Sequence, residues 1–367
     1  MPDDVQAIAQ RILDRMVEQG EPGLQIAVWH RGRQVVDAWA GAPGRNIDGR
    51  SLFPIFSTGK GVQATLIHRL VERGVLDLDA PIARWWPEFA AHGKQAISLR
   101  QVLNHTAGMA MMPEQGTGAD VADWDGMCRQ LAAMPPFPTP GSARFYHGIT
   151  YAWLLGEPAR RATGRDCARL IREEIAEPLG LDSLFFGLPD SELPRTQAAE
   201  KAPPPPPAPP AAPVPPPPAP GSPAAIVPAR AIPSWVCPLE DWINTPAVRR
   251  SCVPASTGFA NARSIARHYA ALVGDGVDGV RLVGDSVRDA ALRDPPLAGE
   301  TRGRGLGWTM MGPDDDPGAV FGHGGYGGST GWADRRHALA VGFTRSRMGG
   351  IGSEELISAI RRCLGCA

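Results

Sequence analysis

The stretch Phe321–Gly331, "FGHGGYGGSTG", decides how the rest of the chain is read. Gly322, Gly324 and Gly327 fit G-x-G-x-x-G, the phosphate-cradling turn of a dinucleotide fold. Gly327, Ser329 and Gly331 fit G-x-S-x-G, the nucleophile elbow of an α/β-hydrolase. His323-Gly324-Gly325 fits neither. The residues after Ser329, "TGWADRRHALAVGFT", read as a turn and then a strand. Both motifs need a helix there, and no βαβ unit surrounds the glycines. Asp334 and His337 follow Ser329 in triad order, but they lie too close in sequence for partners that come from separate loops. The glycines are therefore read as a strand edge that can approach a substrate closely, with the nucleophile elsewhere.

A length of 367 residues allows two domains, or one large domain with an insertion. The chain is 43% hydrophobic and 20% charged, with a formal net charge of -1. That balance gives no electrostatic footprint for nucleic acid or for an anionic membrane. No apolar run approaches the ~20 residues of a membrane span. The N-terminus opens acidic and continues as an amphipathic helix through Val5, Ile8, Ile12, Leu13, Met16 and Val17, with Asp3 or Asp4 as cap. It lacks the pattern of a signal peptide, so a cytoplasmic protein is expected. The cysteines are scattered, and Cys363-Leu-Gly-Cys366 is a lone C-x-x-C without a second ligand pair. Neither a metal nor a cofactor is expected.

Gly23–Gly41 reads as a hairpin of two β-rich runs around an Arg-Gly turn. Helices are expected over 61–73, 98–104, 126–133, 149–175, 256–273 and Ser353–Leu364, with Ser353 as a cap. "GRGLGWTMMG" and "ALAVGFTRSRM" read as strands. Strands at both ends with helices between them predict an α/β (α+β) fold. An antiparallel sheet built from both chain ends and flanked by helices would form a domain from 1–78 and 245–367. A mainly helical domain, 79–244, would be inserted between them. Residues 203–223 hold 14 prolines, so a polyproline II or disordered loop is expected within 202–223.

Only Lys60, Lys94 and Lys201 are lysines among 37 basic residues. Arginine cannot act as a base, whereas a desolvated lysine can. Ser57 and Lys60 form S-x-x-K, which puts both on one face of a helix, with the serine at its N-terminus. A capping serine followed by a surface lysine is the purely structural reading of the same letters. A Walker A loop is excluded, because Gly61 stands where it needs Ser or Thr. Tyr146, one of four tyrosines, follows a Pro-Gly turn and precedes a helix. As a phenol or a phenolate it could move a proton to a leaving group; alone it could equally be a packing tyrosine.

Taken in order, "FSTGK", "RFYHG" and "FGHGG" resemble the serine β-lactamase and penicillin-binding-protein superfamily. The likeness is to its class C β-lactamase-like branch, which includes family VIII carboxylesterases and transesterases. "ISLRQVLNHTAGM", "LDLDAPIARWWPEF" and "EPLGLDSLFFGLPD" extend it over nearly the whole chain outside the proline-rich run. The resemblance implies Ser57 as acylated nucleophile, Lys60 as its base and Tyr146 as proton carrier. It places the third box on His323, Gly324 and Gly325, and the oxyanion hole on the N–H groups of Ser57 and Tyr326. Two positions depart from the family pattern. Gly148 ends the second box, losing a side-chain amide contact, and His323 replaces a fixed lysine cation with a titratable imidazole.

These departures point away from β-lactams and D,D-peptides, which remain the alternative along with D-aminopeptidase substrates. The expectation is a Ser-Lys-Tyr enzyme acting on a neutral small-molecule ester, a carboxylesterase or transacylase. Water, an alcohol or an amine would resolve the acyl-enzyme. Met109–Met112, Trp153, Tyr326 and Trp332 could line an apolar acyl pocket, although the methionines are equally core-like. A rival of another class is a non-catalytic scaffold that recruits a partner through the proline-rich loop.

Overall fold

The computed structural model describes residues 4–202, 218–301, 303–349 and 353–366. Most of the proline-rich run, 203–217, lies outside the described residues, as does Asp3. The expected hairpin is present as β1 (Gly23–His30) and β2 (Arg33–Gly41). Its turn residues Arg31 and Gly32 have φ of 51° and 74°, the left-handed pair that a tight two-residue hairpin requires.

The strands β3 (Phe53–Pro54), β4 (Leu184–Phe186) and β5 (Gly258–Ala260) form a small antiparallel sheet in the order β3-β5-β4. β6 (Thr309–Met310), β7 (Val320–Gly324), β8 (Thr330–Asp334) and β9 (Leu339–Arg345) complete the main sheet. Its order is β2-β1-β9-β8-β7-β6, antiparallel throughout, so β1 from one end of the chain pairs with β9 from the other.

Period-two alternation gives the sheet two buried faces. Ile26, Val28, Val341, Phe343 and Trp332 pack under the terminal helices α1 (Val5–Glu18) and Glu354–Cys363. Ala27, Ala333 and Ala340 face the main core instead, together with Ile265 and Tyr269 of the helix Ala262–Ala270. Deeper still lies α2 (Thr58–Glu72), buried on nearly every side between β7 and the helix Tyr151–Thr163. Its buried residues include polar ones, Lys60, Gln63, Thr65 and His68, and it begins at the serine of S-x-x-K.

Three element boundaries differ from the sequence reading. The helix expected over 149–175 stops at Thr163, because Gly164 caps it at φ 69°, and a new one starts after Asp166. The helix expected from 256 begins only at Ala262, where the Asn261 side chain accepts from the Ser264 N–H; the three residues before it are β5. "GRGLGWTMMG" supplies only the two-residue β6. Ser353 caps its helix in position but without a side-chain hydrogen bond, whereas Asp4 does accept from Gln6 N–H. Among the described residues no helix is long and apolar enough to cross a membrane.

Candidate active site

The nucleophile candidate is presented by a strained turn. Between β3 and α2, Phe56 has φ of 44°, a left-handed conformation that costs a non-glycine residue ~1–3 kcal/mol. Burial of its ring and the Ile55 N–H bond to Gly258 O hold it there. Ser57 follows at the N-terminus of α2, and its side chain makes no capping bond, which leaves Oγ available. Gly59 explains the close packing beside it. A β-carbon at that position would sit 2.1 Å from Pro254 O, so only glycine lets α2 rest on this segment. The result is that Ala255 O lies 3.4 Å from Ser57 Oγ.

Lys60, one turn on, is fully buried. Its Nζ lies 3.0 Å from Ser57 Oγ, 2.6 Å from Gly148 O and 3.0 Å from Ala255 O. All three neighbours are uncharged, and burial without a counter-charge holds the amine well below the ordinary lysine range. A neutral amine has two N–H groups and one lone pair. In the neutral form the two carbonyls would accept the N–H groups and the lone pair would face the Ser57 hydroxyl. A surface-lysine reading does not survive this burial.

Tyr146 is held by the "NHT" loop. The Phe145 N–H donates to His105 O at 3.0 Å, and the His147 N–H donates to His105 Nδ1 at 3.2 Å. The tyrosine ring centre lies 4.8 Å from Lys60 Nζ. Burial pushes its hydroxyl up to about 12, against the opposing pull of its contact with Ser57 and of the Arg304 charge. At neutral pH Tyr146 is therefore a phenol and can give a proton. Gly148 has no side chain to offer, and its backbone carbonyl binds Lys60 directly.

The third box reaches the site through a second close approach. A β-carbon on Gly325 would sit 2.3 Å from Ile55 O, so glycine is what brings the end of β7 against the nucleophile turn. Neither the Ser57 N–H nor the Tyr326 N–H has an acceptor among the described residues. The Tyr326 ring packs edge-on against Phe56 at 5.9 Å.

His323 does not behave as the titratable group expected from the sequence. Burial pushes it down to about 3. Its Nδ1 lies 2.7 Å from Gly324 O. A carbonyl only accepts, so Nδ1 carries the proton and the ring is neutral. The position is thus neither a fixed cation nor a switch near neutral pH.

Ser57, Tyr146, Gly148, Gly324 and Tyr326 share one cavity of about 240 Å³. Its apolar wall is Phe56, Ile149, Ile232 and Leu239. Of the apolar residues named from sequence only Tyr326 lines it. Met109 and Met112 lie in the main core, Trp153 is fully buried against Trp124, and Trp332 lies under the terminal helices. Sequence reasoning missed Ile232, Leu239 and the Ala255 carbonyl. The apolar run "AAIVPARAIPSWV" directly after the prolines was a usable signal for Ile232; it stops short of Leu239, and a backbone carbonyl leaves none.

Ser329 is buried, with Oγ 3.4 Å from Pro54 O. Asp334 does pair with His337 at 2.9 Å, but at the other end of β8. At ~3.3 Å per strand residue that is roughly 16 Å from Ser329, so no triad forms.

The family described as Beta-lactamase matches residues 8–362. The Esterase/beta-lactamase LipL of Mycobacterium tuberculosis is 33% identical over 340 residues, 89% of this chain and 77% of that protein. Esterase EstB of Burkholderia gladioli is 27% identical over 80% of this chain and 74% of its own. Among solved structures, a family VIII carboxylesterase superposes with a TM-score of 0.83 at 30% identity, covering 98% of this chain and 97% of that one.

Proposed function

Because the chain belongs to the β-lactamase family, on the branch shared with family VIII carboxylesterases, we propose that it is a serine ester hydrolase. Its acyl group passes through Ser57 to water, or to an alcohol or amine acceptor. The observation that carries this reading is the Lys60 environment, two carbonyls and one serine around a buried amine.

In the first step Ser57 Oγ bonds to the ester carbonyl carbon as its proton passes to the Lys60 lone pair. The oxyanion lies between the Ser57 and Tyr326 N–H groups, each worth ~3–4 kcal/mol when so placed. The intermediate collapses by breaking the bond to the alcohol oxygen. That oxygen takes the Tyr146 proton, and the Lys60 ammonium restores the phenol. The acceptor then reverses these steps: it gives its proton back through the same pair, attacks the acyl carbon and releases Ser57.

The cavity is smaller than the ~300–1,000 Å³ of drug-sized ligand sites, so the acyl half is short and uncharged. With p-nitrophenyl esters, butyrate is expected to exceed decanoate in kcat/KM by about tenfold or more. Ile232→Trp fills the wall and is expected to shift the optimum toward acetate. A wild-type protein inert toward the whole series contradicts the proposal; an unmoved optimum in the variant removes Ile232 from the acyl wall. The name of the tuberculosis relative also includes β-lactamase, so nitrocefin belongs in the same assay. The neutral His323 leaves a β-lactam carboxylate without the usual cation at that position, and slow or no nitrocefin turnover is expected.

A further inference from the structure

A cation does stand beside the site, at a position that no motif marks. Arg304 lies in the segment leading to β6, exposed to solvent, with its guanidinium carbon 5.9 Å from the Tyr146 ring centre. It makes no ion pair among the described residues. Glu300 is the acid close enough to feel its charge, but the oxygens of Glu300 are already taken. Arg144 Nε binds Glu300 Oε1 at 2.9 Å, Arg144 Nη2 binds Oε2 at 3.1 Å, and the Leu297 N–H binds Oε2 at 2.8 Å. A guanidinium with five donors and no anion is therefore left facing the approach to Tyr146.

We propose that Arg304 is a specificity residue that selects esters whose alcohol half carries a carboxylate. The inference rests on the ester hydrolase reading of Ser57 and deepens it. Arg304 is not among the residues that line the apolar cavity; it stands at the Tyr146 end of it. It sits beside the tyrosine that protonates the departing alcohol, and whatever extends from that oxygen passes it. A planar guanidinium binds a carboxylate through two parallel hydrogen bonds, which a neutral isostere cannot make. The proposal departs from the neutral ester expected from the sequence in one half: the acyl half stays neutral, and the leaving group carries the anion.

The test compares 3-(butyryloxy)benzoate with 3-(butyryloxy)benzamide, which share the acyl group and differ in one charge. Arg304→Gln is expected to lower kcat/KM for the benzoate about tenfold, mainly through KM, because the contact is partly solvated. The benzamide should change less than about twofold. Arg304→Lys should recover part of the loss, and added salt should reproduce it in the wild type. An unchanged ratio of the two esters, or equal losses on both, overturns the proposal. Calorimetry on Ser57→Ala, with and without Arg304→Gln, separates this result from the esterase reading. Charge discrimination in binding without turnover in the parent enzyme contradicts the reading of Ser57 and supports Arg304. Turnover of both esters without discrimination contradicts Arg304 alone.

Discussion

Replacing Lys60 with methionine is expected to lower kcat by about 10³-fold, because it removes the base that takes the Ser57 proton. Methionine is unbranched, only one heavy atom shorter, and adds no buried charge, so the fold should survive, which circular dichroism checks. The pH dependence carries the sharper prediction. Only the deprotonated amine can accept the serine proton, so wild-type kcat/KM should rise with pH as Lys60 loses its own. Burial holds Lys60 well below the ordinary lysine range, which places this limb below that range too. Tyr146, pushed up to about 12, keeps its phenol proton over the same interval, so no alkaline loss should cut the limb short. In Lys60→Met the limb should vanish from the residual activity. A limb of unchanged position in the variant would assign the titration to another group.

Ser57→Ala is expected to reduce turnover further, by about 10⁴-fold or more, since no acyl-enzyme can form. Its cost to stability should stay within ~0.5 kcal/mol, because this serine occupies the helix N-terminus without capping it. A capping serine would cost ~1 kcal/mol on the same replacement. The pairing of large kinetic loss with unchanged Tm thus distinguishes a nucleophile from a structural serine. Ser329→Ala serves as the contrast, retaining most activity despite its glycine-rich motif. An active Ser57→Ala protein, or an inactive but folded Ser329→Ala protein, would reverse the assignment.

The parts of this site legible in the sequence are those that depend on local geometry. Ser57 and Lys60 three apart must share a helix face, and the β1–β2 hairpin announces itself by its turn. Strands at both chain ends could be read as one sheet because each carries its own alternation. What was not legible depends on neighbours far along the chain. The helix expected at Ser256 gave way to β5 because β3 and β4 offer pairing partners, and Asn261 then starts the helix. The Ala255 and Gly148 carbonyls that orient Lys60 are backbone groups, common to every residue. His323 is read as titratable from its type alone; only its burial beside Lys60 makes it neutral. Arg304 has no motif, and what sets it apart is that Arg144 already binds Glu300.

The central claim is that Ser57 carries the acyl group. Wild-type protein mixed with p-nitrophenyl butyrate, quenched in acid during turnover and digested, should give a peptide heavier by one butyryl group, with the modification mapped to Ser57. Ser57→Ala treated in the same way should give none. A butyryl group found on Ser329, on a cysteine, or on no residue while the ester is turned over would contradict the account.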